Sequence, residues 1–328
     1  MALTLPKQSL GGNKTTTRPS TELPEKIEVF GKTLVGDQIS KMFFQRAEVL
    51  KRRDPRYGRF ILIGKKGSGK TYSCIKTLPR PILHLCIDPN AEGIVNPDEI
   101  ERGEVLPILY YGDNPKEPTL YLRYEEDMIS WAQNGFFDAF ASVVVDGLTS
   151  LMAIQLNQIA YEDKKRKDKL HAGNSQVKTR TGLMPELQDY NVLKSTSILG
   201  FMALCSIPCH LVLTAHIAEE RYFDDNDAMR IREILNATPA LTTNIPPLFS
   251  EVYLSTVRRD DKLDKDDPNR KKYVWVTDKL NAYKDLPLCT RFNVNKKLVE
   301  DEIPQDFRAL LKRVGFLWED KPFITRGE

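Results

Sequence analysis

The feature that most constrains this chain is an apolar run, Phe60-Ile61-Leu62-Ile63, that leads directly into Gly64-Lys65-Lys66-Gly67-Ser68-Gly69-Lys70-Thr71. A buried strand ending in G-x-x-x-x-G-K-T, with a helix expected from Tyr72, has the layout of a phosphate-binding loop. Glycines at these places let the backbone wrap an anion closely, with successive N–H groups turned inward. In such a loop the Lys70 ammonium reaches the outer phosphates and the Thr71 hydroxyl ligates Mg²⁺, while the helix N-terminus adds partial positive charge. Residues 64–72, with Lys65, Lys66, Ser68 and Tyr72 among them, are therefore the expected site of a nucleoside triphosphate with Mg²⁺.

Composition sets limits on the rest. With 328 residues and 41% hydrophobic content the chain can bury a large core, and its net charge of +3 excludes binding driven by a basic bulk. Any nucleic-acid site must come from local clusters. No apolar run reaches the roughly 18–20 residues that span a bilayer, and no signal-like segment opens the chain, so a cytoplasmic protein is expected. Five scattered cysteines (Cys74, Cys86, Cys205, Cys209, Cys289) read as reduced thiols. The run from Cys205 through Cys209 to His210 lacks a second ligand pair with zinc spacing, and buried small side chains account for it better.

Along the chain, residues 1–25 read as a flexible tail. Residues 26–58 read as an N-terminal helical segment with an amphipathic stretch at 38–50, followed by Lys51-Arg52-Arg53. The core is expected over 59–292 and a small helical extension over 293–328. Short apolar runs bounded by breakers predict strands at 60–63, 82–87, 142–145, 210–214, 252–257 and 273–277. Helical patterns at 127–131 and 189–204 fall between them, which predicts an α/β fold with a mainly parallel sheet flanked by helices. A C-terminal helix is expected over 303–318, with Phe307, Leu310, Leu311 and Val314 on one face. The mixed charge run at 260–272 reads as an exposed turn between two strands.

Ala141-Ser142-Val143-Val144-Val145-Asp146 is a buried run ending in a carboxylate, the partner expected to hold Mg²⁺ with Thr71. Gly147 comes next, so a water-activating acid must come from elsewhere. Asp88 and Glu92, just past the strand at 82–87, are the two candidates for that base.

At this point the chain resembles the RecA-like ATPases. The segment from Val143 to Leu151 is similar to the RecA-type metal-binding segment. The stretch from His210 to His216 is similar to the strand whose polar end senses the γ-phosphate, which makes His216 the expected sensor. More narrowly, the pattern resembles phage-encoded nucleotide-binding AAA-domain proteins with a RecA core, including recombination and single-strand annealing proteins. That resemblance implies ATP hydrolysis, a homo-oligomeric ring or filament, single-stranded DNA as a partner, phage replication or recombination proteins as further partners, and the host cytoplasm as the location. It also implies a basic residue donated by a neighbouring subunit; Lys279 sits where the class places it, with Arg258, Arg259 and Arg291 as alternatives.

Two polar stretches stand where RecA-like proteins hold single-stranded DNA. The first comes after Asp146 and contains Lys164, Lys165, Arg166, Lys167, Lys169, Lys178 and Arg180. The second comes after His216 and contains Arg221, Arg230 and Arg232, with Tyr161, Tyr222 or Phe223 available to stack bases. Two other functions fit the same motifs: a DNA-translocating motor or helicase, and an ATP-binding assembly switch that hydrolyses slowly or not at all.

Overall fold

A computed structural model describes residues 26–29, 32–35, 57–170, 185–223, 229–264, 267, 270–278, 283–292 and 300–325. The chain divides into two units, residues 1–55 and 56–328. In the first, β1 (Lys26–Val29) pairs antiparallel with β2 (Lys32–Val35), so a hairpin stands where the sequence predicts a helical segment. In Lys26-Ile27-Glu28-Val29 charged and apolar residues alternate with period two, and Thr33, Leu34 and Val35 supply strand formers opposite them. The amphipathic stretch at 38–50 lies outside the described residues.

The second unit opens with β3 (Arg59–Ile63), α1 (Lys70–Thr77), β4 (Ile82–Cys86), α2 (Pro97–Glu101) and β5 (Val105–Leu109). It continues with α3 (Leu120–Asn134), β6 (Ser142–Asp146), α4 (Leu148–Leu170), α5 (Leu187–Leu204) and β7 (His210–Ala215). Then come β8 (Ile217–Phe223), β9 (Met229–Leu235), α6 (Pro239–Asn244), β10 (Glu251–Arg259), β11 (Lys271–Val276), β12 (Cys289–Thr290), β13 (Glu302–Pro304) and α7 (Phe307–Val314).

The main sheet runs β13-β11-β10-β3-β7-β6-β4-β5, with β12 also pairing β10. From β10 to β5 every pairing is parallel; β11, β12 and β13 join antiparallel. The inner strands are continuous apolar runs because both faces are covered. Facing one way, Ile61, Ile63, Val143, Val145, Leu211 and Leu213 pack with residues of α3, α4 and α5. Facing the other, Phe60, Leu62, Val144 and Val212 pack with α1 and α7. The mixed α/β fold with a largely parallel, helix-flanked sheet is as the sequence predicts.

Several expectations are corrected. The first basic stretch is not a loop at Lys164–Lys167: those residues lie on α4, a helix of 23 residues. Residues 148–170 contain neither glycine nor proline and are rich in helix formers, and Lys164–Asp168 and Lys167–Asp163 add i,i+4 ion pairs. The described residues of the second stretch form β8 and β9, paired antiparallel, and then α6. The expected C-terminal helix is shorter. Its first residues form β13, which pairs with β11, and Asp306 then caps α7 by accepting from the Ala309 amide. Phe307, Leu310, Leu311 and Val314 are buried on one face, as expected. Residue 292 is therefore no boundary of packing, because the segment after it supplies a strand and a helix to the same core. β10 and β11 pair antiparallel on either side of the charge run at 260–272, whose Lys271 and Lys272 already belong to β11.

Candidate functional site

β3 ends at Ile63, and the loop after it turns back into α1 at Lys70. Gly69, the residue before the helix, has φ 91°, a left-handed conformation that only glycine adopts cheaply. No side chain among the described residues caps α1, so the first amides of the helix face the loop without a capping acceptor. The Ser68 hydroxyl is buried and has no partner among the described residues. Lys70 is only 7% exposed, and its Nζ donates to the carbonyls of Gly64 (2.8 Å) and Lys65 (3.1 Å). Burial pushes its ammonium pKa down, against the opposing pull of Asp146 and Asp88.

β7 separates the strand that carries the loop from β6, which ends in Asp146. Their ends nevertheless meet: Thr71 Oγ1 donates to Asp146 Oδ2 at 2.8 Å. Thr214, on the intervening strand, donates to Asp146 Oδ1, and His84 Nε2 lies 3.3 Å from Oδ2. A carboxylate oxygen accepts, so the buried imidazole of His84 presents N–H there. Burial alone would push the Asp146 carboxyl up; His84, Thr214 and Thr71 outweigh it and hold the group below the usual carboxylate range.

A pocket of about 890 Å³ lies over the loop. It is lined by residues 66–73 of the loop and α1 and by Asp88, Asp146, Ser150 and His216. Tyr273, Pro304 and Gln305 close it from the C-terminal part of the chain. Asp88 Oδ1 accepts from Ser150 Oγ at 2.5 Å, and His216 Nε2 stands 3.0 Å from Oδ2. Gly147 is required here, since a Cβ on it would sit 2.7 Å from Asp88 Oδ2. Glu92 is placed differently. Its carboxylate accepts from Tyr111 OH at 2.5 Å, and it does not line the pocket.

Among the other expected contacts, Lys66 and Tyr72 line the pocket, whereas the Lys65 amine pairs with Glu233 (2.7 Å) and Glu219 (3.2 Å) at the base of the β8–β9 hairpin. Lys279, Lys178 and Arg180, and the side chain of Lys169, lie outside the described residues. On α4, Lys164 pairs with Asp168, Arg166 with Asp163, and Lys167 with Asp163 and Glu186, while Lys165 sits over the Tyr161 ring. On the hairpin, Arg232 bonds Glu220 and stacks on Tyr222. Cross-strand pairing places Arg221 with Ile231 and Phe223 with Met229 on one face, where Phe223, Met229 and Ile231 are all exposed; Arg230 pairs with Tyr222 on the other.

His84, Ser150, Tyr273, Pro304 and Gln305 escape the sequence reading. Ser150 lies in the segment at 143–151 but has no role assigned there, and the others reach the site through strand order and the return of β13. Known family models give no match to this chain, and neither do curated proteins. No helix among the described residues is long and apolar enough to cross a membrane.

Proposed function

We propose that this chain binds and hydrolyses ATP with Mg²⁺ on a RecA-like core, and acts as a homo-oligomer on single-stranded DNA in phage recombination or replication. The observation that carries the reading is the Thr71–Asp146 contact of 2.8 Å at the mouth of the loop, between the start of α1 and the end of β6, a strand not adjacent to β3. Two further features fit an anion with a divalent cation: the buried Ser68 hydroxyl, unpartnered among the described residues, and the uncapped start of α1. Mg²⁺ held by Thr71 and Asp146 would offset charge on the outer phosphates. Lys70 and the loop amides hold the phosphates.

Asp88 orients the attacking water and takes its proton, with Ser150 and His216 fixing the carboxylate. Water oxygen bonds to the γ-phosphorus as the bond to the β-phosphate oxygen breaks, leaving ADP and phosphate. His216 lies between β7 and β8, so it links Asp88 to the hairpin. The hairpin face with Arg221, Phe223, Met229 and Ile231 is the candidate DNA surface, cation and aromatic side by side. One observation favours the assembly-switch reading: Glu92 is engaged by Tyr111, which leaves Asp88, among the described residues, as the one carboxylate on the pocket wall beside Asp146.

The test is ATP hydrolysis by the full chain with and without single-stranded DNA, with Lys70→Ala as control. Turnover that DNA stimulates and Lys70→Ala abolishes supports the reading. Tight ATP binding without turnover moves the assignment to the switch, and hydrolysis retained in Lys70→Ala overturns the loop assignment.

A further inference from the structure

The pocket over the loop is chemically two-ended. Asp88, Asp146, Ser150 and His216 form a polar end suited to phosphate and water, whereas Tyr72, Tyr273, Pro304 and Gln305 form an end with rings and a single amide. We propose that the second end is a purine-base subsite in which Gln305 selects a 6-amino purine over a 6-oxo purine. The inference rests on the nucleotide reading above and adds to it the side chain that reads the base.

The orientation of the Gln305 amide is settled by its partners. Its Nε2 donates to the carbonyl of Ser68 at 2.9 Å and to that of Val274 at 3.0 Å. Both partners are acceptors, so the amide cannot be turned over without setting oxygen against oxygen. Both of its hydrogens are thereby occupied, and Oε1 is left as an acceptor on the pocket wall. That oxygen lies over Gly69: a Cβ there would clash with Oε1 and stand 2.8 Å from Tyr273 Cδ1. The same close approach brings the Tyr273 ring, 45% exposed, beside the acceptor.

The wall is also rigid. The Gln305 backbone N–H donates to Tyr273 O at 3.3 Å, and the next turn is anchored by Phe307 N donating to Thr77 Oγ1 at 2.9 Å. A flat aromatic next to a fixed acceptor suits a purine whose edge carries an exocyclic amine. The amine of adenine can donate to Oε1, whereas O6 of guanine or hypoxanthine would set lone pair against lone pair and leave a desolvated acceptor unpaired. One such mismatch is worth about tenfold in affinity.

The experiment is equilibrium binding of ATP, ITP, GTP and purine riboside triphosphate to the full chain at fixed Mg²⁺, with tripolyphosphate as a probe that has no base. The expected result is ATP about tenfold tighter than ITP and GTP, with purine riboside triphosphate in between. In Gln305→Leu, ATP and ITP should converge to within about twofold, and their ratio, not the tripolyphosphate affinity, is the readout because the variant also loses the bond to Ser68 O. Tyr273→Leu should weaken all purine nucleotides alike. Equal affinity of the unaltered chain for ATP and ITP overturns the inference and leaves the nucleotide reading standing, and this comparison needs no variant to fold. Retention of the preference in Gln305→Leu overturns it as well. Failure of every nucleotide to bind overturns both.

Discussion

Asp88 and Glu92 lie on the same short connection after β4, and the structure separates them by what each carboxylate touches. Asp88 is held by Ser150 and His216 at the pocket wall, while Glu92 bonds Tyr111 away from it. Asp88→Asn should therefore lower kcat by about 10²–10³-fold with little change in ATP affinity, whereas Glu92→Gln should change kcat by less than about threefold. Steady-state kinetics with a parallel binding measurement checks both, and the reverse order would make Glu92 the base. Gly147→Ala tests the same carboxylate from behind. Its Cβ would displace Asp88, so turnover should fall about tenfold or more while the far-ultraviolet circular dichroism stays unchanged.

At the scale of elements, the hairpin and α4 divide the basic residues between them. On α4 the described cations have acidic or aromatic neighbours, while the hairpin sets Arg221 among exposed apolar side chains. Arg221→Glu combined with Phe223→Ala should weaken single-strand binding by about tenfold or more and reduce its salt slope, while Lys164→Glu with Lys165→Glu should change it by less than about threefold. Fluorescence anisotropy across a salt series decides; the opposite ranking would return the DNA contact to α4. Legibility in the sequence divides the same way. Five of the six strands read from the sequence, β3, β4, β6, β7 and β10, are parallel strands legible as apolar runs, and the sixth is the antiparallel β11. β5 is hidden by Pro107 inside Val105–Leu109, and β8 and β9 by charges on both faces, which blur the period-two pattern. α4 is hidden by its Lys/Arg run, which reads as polar loop unless the absence of helix breakers is weighed. The loop at 64–71 and Asp146 are legible because each is contiguous with its strand, whereas His84 and Gln305 reach the site only through strand order.

At the scale of the whole molecule, the sheet carries a buried acid at the end remote from the loop at 64–71. Glu251, fully buried at the start of β10, accepts from Tyr253 OH (2.7 Å), Thr290 Oγ1 (2.5 Å) and the Arg291 amide (3.1 Å). Burial pushes its pKa up to about 7 despite those donors. The folded chain then binds this proton more tightly than the unfolded one, so stability falls as pH rises from about 4.5 to 7, by at most about 1.4 kcal/mol per unit. Glu251→Gln should flatten that part of the slope, which denaturation midpoints at pH 5 and pH 8 would reveal; an unchanged difference between the two midpoints would refute it. On the face of the sheet that α1 covers, Phe307 packs against Phe60 and Trp275 with ring centroids 5.1 and 4.6 Å away, and Phe307→Ala should cost about 3–5 kcal/mol in denaturant unfolding. The join between β7 and β8 has a mechanical meaning. His216 alone separates a strand locked in the centre of the sheet from a two-stranded arm of seven residues per side. Such an arm is about 23 Å long, so a rotation of about 5° at that single residue swings its far end by about 2 Å. Asp88 bonds the fulcrum and Lys65 bridges to the arm's base, so, on the function proposed above, a sub-ångström shift at the loop would reach the far end of the hairpin as a larger displacement.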